Sequence, residues 1–324
     1  MPSTIPVKPR LRSYLRTVQL TGQRLLLRGG RQQLVLKGAS ATELLPDLLP
    51  LLDGQHSVAD IAAVLQHVDI AVLHEAIAFL QARDILEEAG DESGPGDPQS
   101  NFWLARSGSR NAMPARLAAA RVRVLGSGQV FDRTLRELWR AGVGEITSAT
   151  PPEPLLADAA LALVCTDTPA YALWEAVNAA ALESGTPWLR AVLNDTLGDV
   201  GPFVVPHASA CYVCVALRER SNSRLGFEAD DFAQNALAAN AAEPIALPSA
   251  ATAVAAMAVL ETVRYFTGYA PVASRNAVLS LHVLTSEVRR HDVLKLPRCP
   301  ACSRAAQRPL PQIWDLVPVA EKAQ

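Results

Sequence analysis

Two cysteine pairs raise the first chemical question. Cys211-Tyr-Val-Cys214 and Cys299-Pro-Ala-Cys302 are both CxxC turns, and each such turn can aim two thiolates at one ion. Two turns complete a tetrahedral site of four sulfurs that ties distant segments together. Four soft thiolates in closed geometry favour zinc. No His lies inside either pair and no open position is implied, so the metal reads as structural rather than catalytic. Arg218, Arg298 and Arg304 stand near enough in sequence to offset the negative charge of four thiolates. The alternative, two disulfides or redox-active pairs, suits an oxidising compartment. The fifth cysteine, Cys165 in LALVCTD, ends an apolar strand and reads as a small buried hydrophobe. As a nucleophile it would have no base beside it in sequence.

A second candidate lies in RVRVLGSGQVFDRTLRELWRAGV, residues 121–143. An apolar strand runs into Gly126-Ser127-Gly128, and a helix with apolar spacing follows. Dinucleotide and ATP sites begin this way, because glycine lets backbone N–H groups approach phosphate at a helix start.

The elements that must position these residues fall into two halves. The chain has 324 residues, 49% of them apolar and 19% charged, with a net charge of −2. That is room for two cored domains and no bulk field that would recruit nucleic acid or a membrane. The alanine-rich run at 250–260 is broken by Glu261 and Arg264, short of the roughly 20 residues of a span. The opening MPSTIPVKPRLRSYL has no apolar signal core, which predicts a cytoplasmic protein.

Residues 89–101, AGDESGPGDPQSN, read as the start of a linker over 89–118, separating a domain at 1–88 from one at 119–324. The first half predicts strands at about 15–20, 23–28 and 32–37, then three helices. Ser40 is a cap candidate for the first, and Ser57 with Asp60 for the second. The third runs from Asp69 to Leu86 with Ile70, Leu73, Ile77 and Leu80 at helical spacing. A three-stranded sheet plus three helices is winged-helix-like. Its last helix carries Asp69, Glu75 and Asp84 against Arg83, the wrong charge for reading DNA. In the second half strands alternate with helices, which predicts an α/β domain with a parallel sheet. The helix near 250–266 is rich in alanine, suited to homodimer contact or to packing on the chain's own sheet.

Two family resemblances can now be drawn. LLPLLDGQHSVADIAAVL, with the helix and ARDILEE that follow, resembles the PqqD-like domain, or RiPP recognition element, over about residues 12–88. The resemblance implies capture of a precursor's leader peptide. It would add as a strand to the edge Gln32–Lys37 and lie against the third helix. Gln33, Leu34, Val35, Leu36, Leu73, Ile77 and Leu80 would then form the walls, and Arg28, Arg31 and Lys37 would favour acidic leader residues. Residues 120–305 resemble the ThiF-like, ubiquitin-activating-type adenylyltransferases. The marks are the GxG after a strand, AGVGEIT, CTD, both CxxC pairs and the Glu-containing helix ending in TG.

That superfamily needs a phosphate loop, a ribose acid, cations for the triphosphate and an Asp for magnesium. Here Phe131 would crowd the pyrophosphate, and EITSATPPEP offers no ribose acid, since Glu153 falls too far along among prolines. No Lys or Arg occurs between Ile146 and Trp188. Asp167 survives, in a position that suits an N-cap for the following helix. The expectation is therefore a Rossmann-type fold with no catalytic residues and no ATP. Together the two halves resemble the ThiF-like partner proteins of YcaO cyclodehydratases, which implies a leader-binding scaffold for thiazoline or oxazoline formation. Two rivals stand beside it: an active enzyme adenylating a peptide, and a DNA-binding regulator.

Overall fold

The computed structural model describes residues 5–90, 97–149, 155–222 and 243–303. It divides into two compact units, Met1–Met113 and Pro114–Gln324.

In the first unit, alternating residues build an antiparallel sheet of β2 (Arg16–Leu20), β3 (Arg24–Gly29) and β4 (Gln32–Lys37), in that order. Leu25 and Leu27 point into the core with Leu48, Ile61, Leu73, Ile77 and Leu80. Residues 40–51 form a π turn (Ser40–Leu44), a single turn α1 (Leu45–Leu48) and a 3-10 turn (Leu49–Leu51) rather than one regular helix. Pro46 and Pro50 interrupt it, and Ser40 makes no cap. Ser57 and Asp60 do form a reciprocal capping box at α2 (Val58–Val64). Asp69 caps α3 (Ile70–Gln81). The third helix ends five residues earlier than its periodicity suggests, because Asp84 takes a positive φ and Leu86–Glu88 turns into β5. β5 pairs antiparallel with β1 (Pro9–Leu11).

The stretch read as a linker carries structure of its own. Asp97 accepts from the Gln99 and Ser100 amides to start α4 (Pro98–Ser107), and α5 (Ala112–Ala118) follows. Between them Arg110 holds Glu87 at 2.9 Å and also reaches Ser13, Ser100 and Asn101. Polar, glycine-rich composition concealed these side-chain anchors.

The second unit is a seven-stranded sheet in the order β12-β11-β10-β9-β8-β6-β7. β6 (Arg121–Ser127), β7 (Glu145–Ala149), β8 (Leu161–Thr166) and β9 (Trp188–Asn194) are parallel. β10 (Leu197–Val204), β11 (Ala277–His282) and β12 (Glu287–Asp292) are antiparallel, so the sheet is mixed rather than wholly parallel. Only Asp195 and Thr196 separate β9 from β10, and a two-residue connection can return the chain only antiparallel. From β6 the chain crosses by α6 (Gln129–Arg140) to β7 on one side; from β8 it crosses by α7 (Tyr171–Ser184) to β9 on the other. Right-handed crossovers therefore put α6 and α7 on opposite faces and leave a switch point between β6 and β8. α8 (Tyr212–Asn222) lies with α7, and α9 (Pro248–Thr267) with α6. Ala251, Val254, Ala255 and Ala258 of α9 are fully buried, and a Cβ at Gly198 of β10 would strike Val254. The alanine stripe is thus used within the unit. Among the described residues no helix is long and apolar enough to cross a membrane.

Candidate functional site

Cys211 stands just before α8, Cys214 in its first turn, and Cys299 and Cys302 on the turn after β12. All four are buried, with their sulfurs within 4.8 Å of one another. Individual Sγ–Sγ separations are 3.9 Å (Cys211–Cys214), 3.7 Å (Cys211–Cys299) and 3.7 Å (Cys214–Cys302). A tetrahedron with metal–sulfur bonds of about 2.3 Å has edges of about 3.8 Å, so the cluster has the right size for one divalent ion. The cysteines are free of disulfides. Hydrogen bonds from the Cys211 thiol and the Leu296 amide hold the Cys214 thiol below its ordinary range, while its bond to Cys214 raises Cys211. One sulfur is already biased toward the thiolate that a metal needs. Of the three arginines expected nearby, Arg218 donates to the Leu294 carbonyl, Arg298 is exposed, and Arg304 lies outside the described residues.

The glycine loop sits at the switch point, where open α/β sheets bind ligands. Its helix N-terminus is occupied from within. The Asp167 carboxylate accepts from the Gln129 amide at 2.6 Å and the Val130 amide at 2.8 Å. It satisfies the first turn of α6 as a phosphate oxygen would. Both glycines answer to this packing. A Cβ at Gly128, φ +97, would lie 2.5 Å from the Asp167 carboxylate; one at Gly126, φ +113, would lie 2.1 Å from the Cys165 carbonyl. The expectation that Asp167 caps the next helix is corrected: the N-cap of α7 is Ala170, and no side chain caps that end. Asp167 caps α6 instead, since the parallel pairing of β6 with β8 brings the ends of both strands together. Phe131 is half-buried in that turn, and Glu153 lies outside the described residues. Burial pushes the Cys165 thiol up to about 12, away from the thiolate form that a nucleophile needs.

Arg190, unremarked in the sequence, is the nearest basic side chain after the cation-free stretch. It is buried on β9 toward α7 and α8: its Nε donates to the Gly201 carbonyl at 2.8 Å, and its guanidinium lies 4.9 Å from the Trp174 ring. A lone Arg in an apolar strand was the available signal.

In the first unit, β4 pairs with β3, and among the described residues no strand pairs with its outer edge. Beside it lies a groove of about 280 Å³ lined by Leu36, Lys37, Leu44, Val72, Ala76 and Phe79, among others, with Leu80 as floor. Leu73 and Ile77, expected as walls, are instead fully buried in the core, and Leu34 packs partly against it. One face of α3 is consumed by the sheet, so the groove is lined by positions one residue earlier or two later. Val72 and Phe79, the exposed apolar positions that periodicity passes over, were the signal missed. Gln33, Val35 and Arg28 point to the opposite, outer face of the sheet, and Arg31 is exposed in the β3–β4 turn. The basic residues expected to line the groove, Lys37 excepted, lie elsewhere.

Residues 148–301 match the ThiF family. The match begins after the glycine loop. No curated protein sequence matches the chain. Among solved structures, the heterocyclase TruD is 21% identical with a TM-score of 0.69 over 92% of this chain. This chain spans only 43% of TruD's length. A heterocyclase in complex with substrate and cofactor gives 20% identity and a TM-score of 0.69, over 92% of this chain and 40% of that one. E. coli MccB with ATP is 13% identical with a TM-score of 0.63, covering 91% of this chain and 99% of MccB. At such identities the likeness is one of fold. Residues 148–301 are thus similar to the ThiF family, and the chain shares an α/β fold with TruD and MccB.

Proposed function

We propose that this chain is a non-catalytic scaffold that captures the leader of a ribosomal precursor peptide. It would present the peptide to a separate YcaO cyclodehydratase that forms thiazoline or oxazoline rings. The observation that carries the reading is the outer edge of β4 beside the groove along α3. An extended peptide laid there gains main-chain hydrogen bonds from β4 and seats alternate side chains in the groove. In this reading the first unit is a winged-helix-like, PqqD-type domain. Holding the leader raises the local concentration of the core peptide at the partner's active site. The second unit contributes a scaffold held by zinc on Cys211, Cys214, Cys299 and Cys302, and the setting is the cytoplasm. Catalytic silence is supported by the Asp167 carboxylate on the α6 amides and by the absence of cations between Ile146 and Trp188.

The second reading, a peptide-adenylating enzyme, draws on the fold likeness to MccB, whose structure holds ATP. ATP–pyrophosphate exchange separates the two: the scaffold gives none with any precursor peptide. Leader capture is measured by fluorescence anisotropy with the labelled leader. Val35→Pro removes an N–H and disfavours strand pairing, and a loss of binding in a folded variant is expected. Retained affinity would sink the proposed mode.

A further inference from the structure

The face of the β2-β3-β4 sheet that turns away from the core has a regular pattern of its own. Its middle row is apolar: Val18 stands opposite Leu26, and Leu26 opposite Val35. Val18 is 50% exposed and Val35 39%. On one side of this row Arg16 faces Arg28 directly across the strands; on the other, Arg24 faces Lys37. Like charges placed directly opposite destabilise a sheet. Both pairs stand in that arrangement, and among the described residues no carboxylate is paired with Arg16, Arg28 or Lys37. A surface that only needed solubility would alternate signs. Two repelling rows framing an apolar one fit a partner that brings the opposite charge.

We infer that this face docks an amphipathic helix of a partner protein, with an apolar stripe bordered on both sides by Asp or Glu. The dimensions agree. Three strands about 4.8 Å apart make the middle row about 10 Å long, and residues i and i+7 of a helix lie about 10.5 Å apart. The cationic rows lie about 7 Å to either side, two residues along each strand, within reach of carboxylates flanking the stripe. Single-stranded nucleic acid fits less well, since Val and Leu give bases no aromatic surface to stack on. The face lies on the far side of the sheet from α3 and shares only Lys37 with the lining of the leader groove, so its test rests on Arg16, Val18 and Arg28, which do not line that groove.

The probe is a synthetic helical peptide with Leu at i, i+4 and i+7 and Glu on both flanks. Its control is a sequence isomer of equal composition that mixes Leu and Glu around the helix. Fluorescence anisotropy against the full chain should show the patterned peptide binding at least tenfold tighter than the isomer. Val18→Asp and Arg28→Glu should each weaken it tenfold or more. Arg16→Glu should also weaken binding, yet raise the melting temperature by relieving the Arg16–Arg28 repulsion. That opposite pair of shifts separates lost docking from lost folding. Equal binding of the isomer, indifference to Val18→Asp and Arg28→Glu, or binding of oligo-dT or phosphatidylserine vesicles in place of the peptide would each overturn the inference.

Discussion

A single carboxylate fills the helix end at the switch point. Asp167 is 6% exposed and accepts two amides of the α6 N-terminus, groups that are orphaned in any helix and that a nucleotide phosphate would otherwise take. Asp167→Ala leaves both unpaired and should cost about 1–3 kcal/mol, read as a lowered denaturation midpoint. Amide hydrogen exchange gives the local view: Gln129 and Val130 should be protected in the native chain and exchange rapidly in the variant. The glycine loop itself was legible, as was the burial of Cys165. The partner of Asp167 was not, because helix capping is usually read forward along the chain, and here it acts across 37 residues through the pairing of β6 with β8.

At the scale of elements, the first unit shows where periodicity succeeds and where it misleads. Strand alternation placed β2, β3 and β4 within a residue, and Ser57 and Asp69 announced their helices. The same periodicity selects the core stripe of α3 and therefore names the wrong wall for a groove. Leu73 and Ile77 are buried in the core and do not line the groove. Two substitutions separate these roles. Ile77→Ala should lower stability by about 2–5 kcal/mol through the cavity it leaves, while any folded fraction keeps its affinity for the leader. Val72→Asp, on a side chain that is 47% exposed, should leave the melting temperature near wild type and weaken leader binding at least tenfold. Equal effects of both on binding would place the peptide elsewhere. The pairing of β1 with β5 and the Arg110 contacts were illegible for a different reason. Each joins segments far apart in sequence, Arg110 to Ser13 across 97 residues, and no local pattern encodes that.

For the whole molecule the cysteine cluster has the longest reach, and it was the most legible feature of all, since two CxxC turns state their own geometry. Metal analysis should return about one zinc per chain, and Cys299→Ser should reduce both metal content and melting temperature. A fully folded, metal-free chain would contradict the assignment. A bound ion would also change the connectivity of the second unit. Cys211 and Cys299 are 88 residues apart, and α8, β11 and β12 all lie between or beside them. With the ion in place that span is a closed ring bearing two tails. Closing so long a ring removes much of the freedom of the unfolded chain. One peptide-bond cleavage inside the ring would then leave both pieces joined through sulfur and metal, and a chelator, rather than a reductant, would release them.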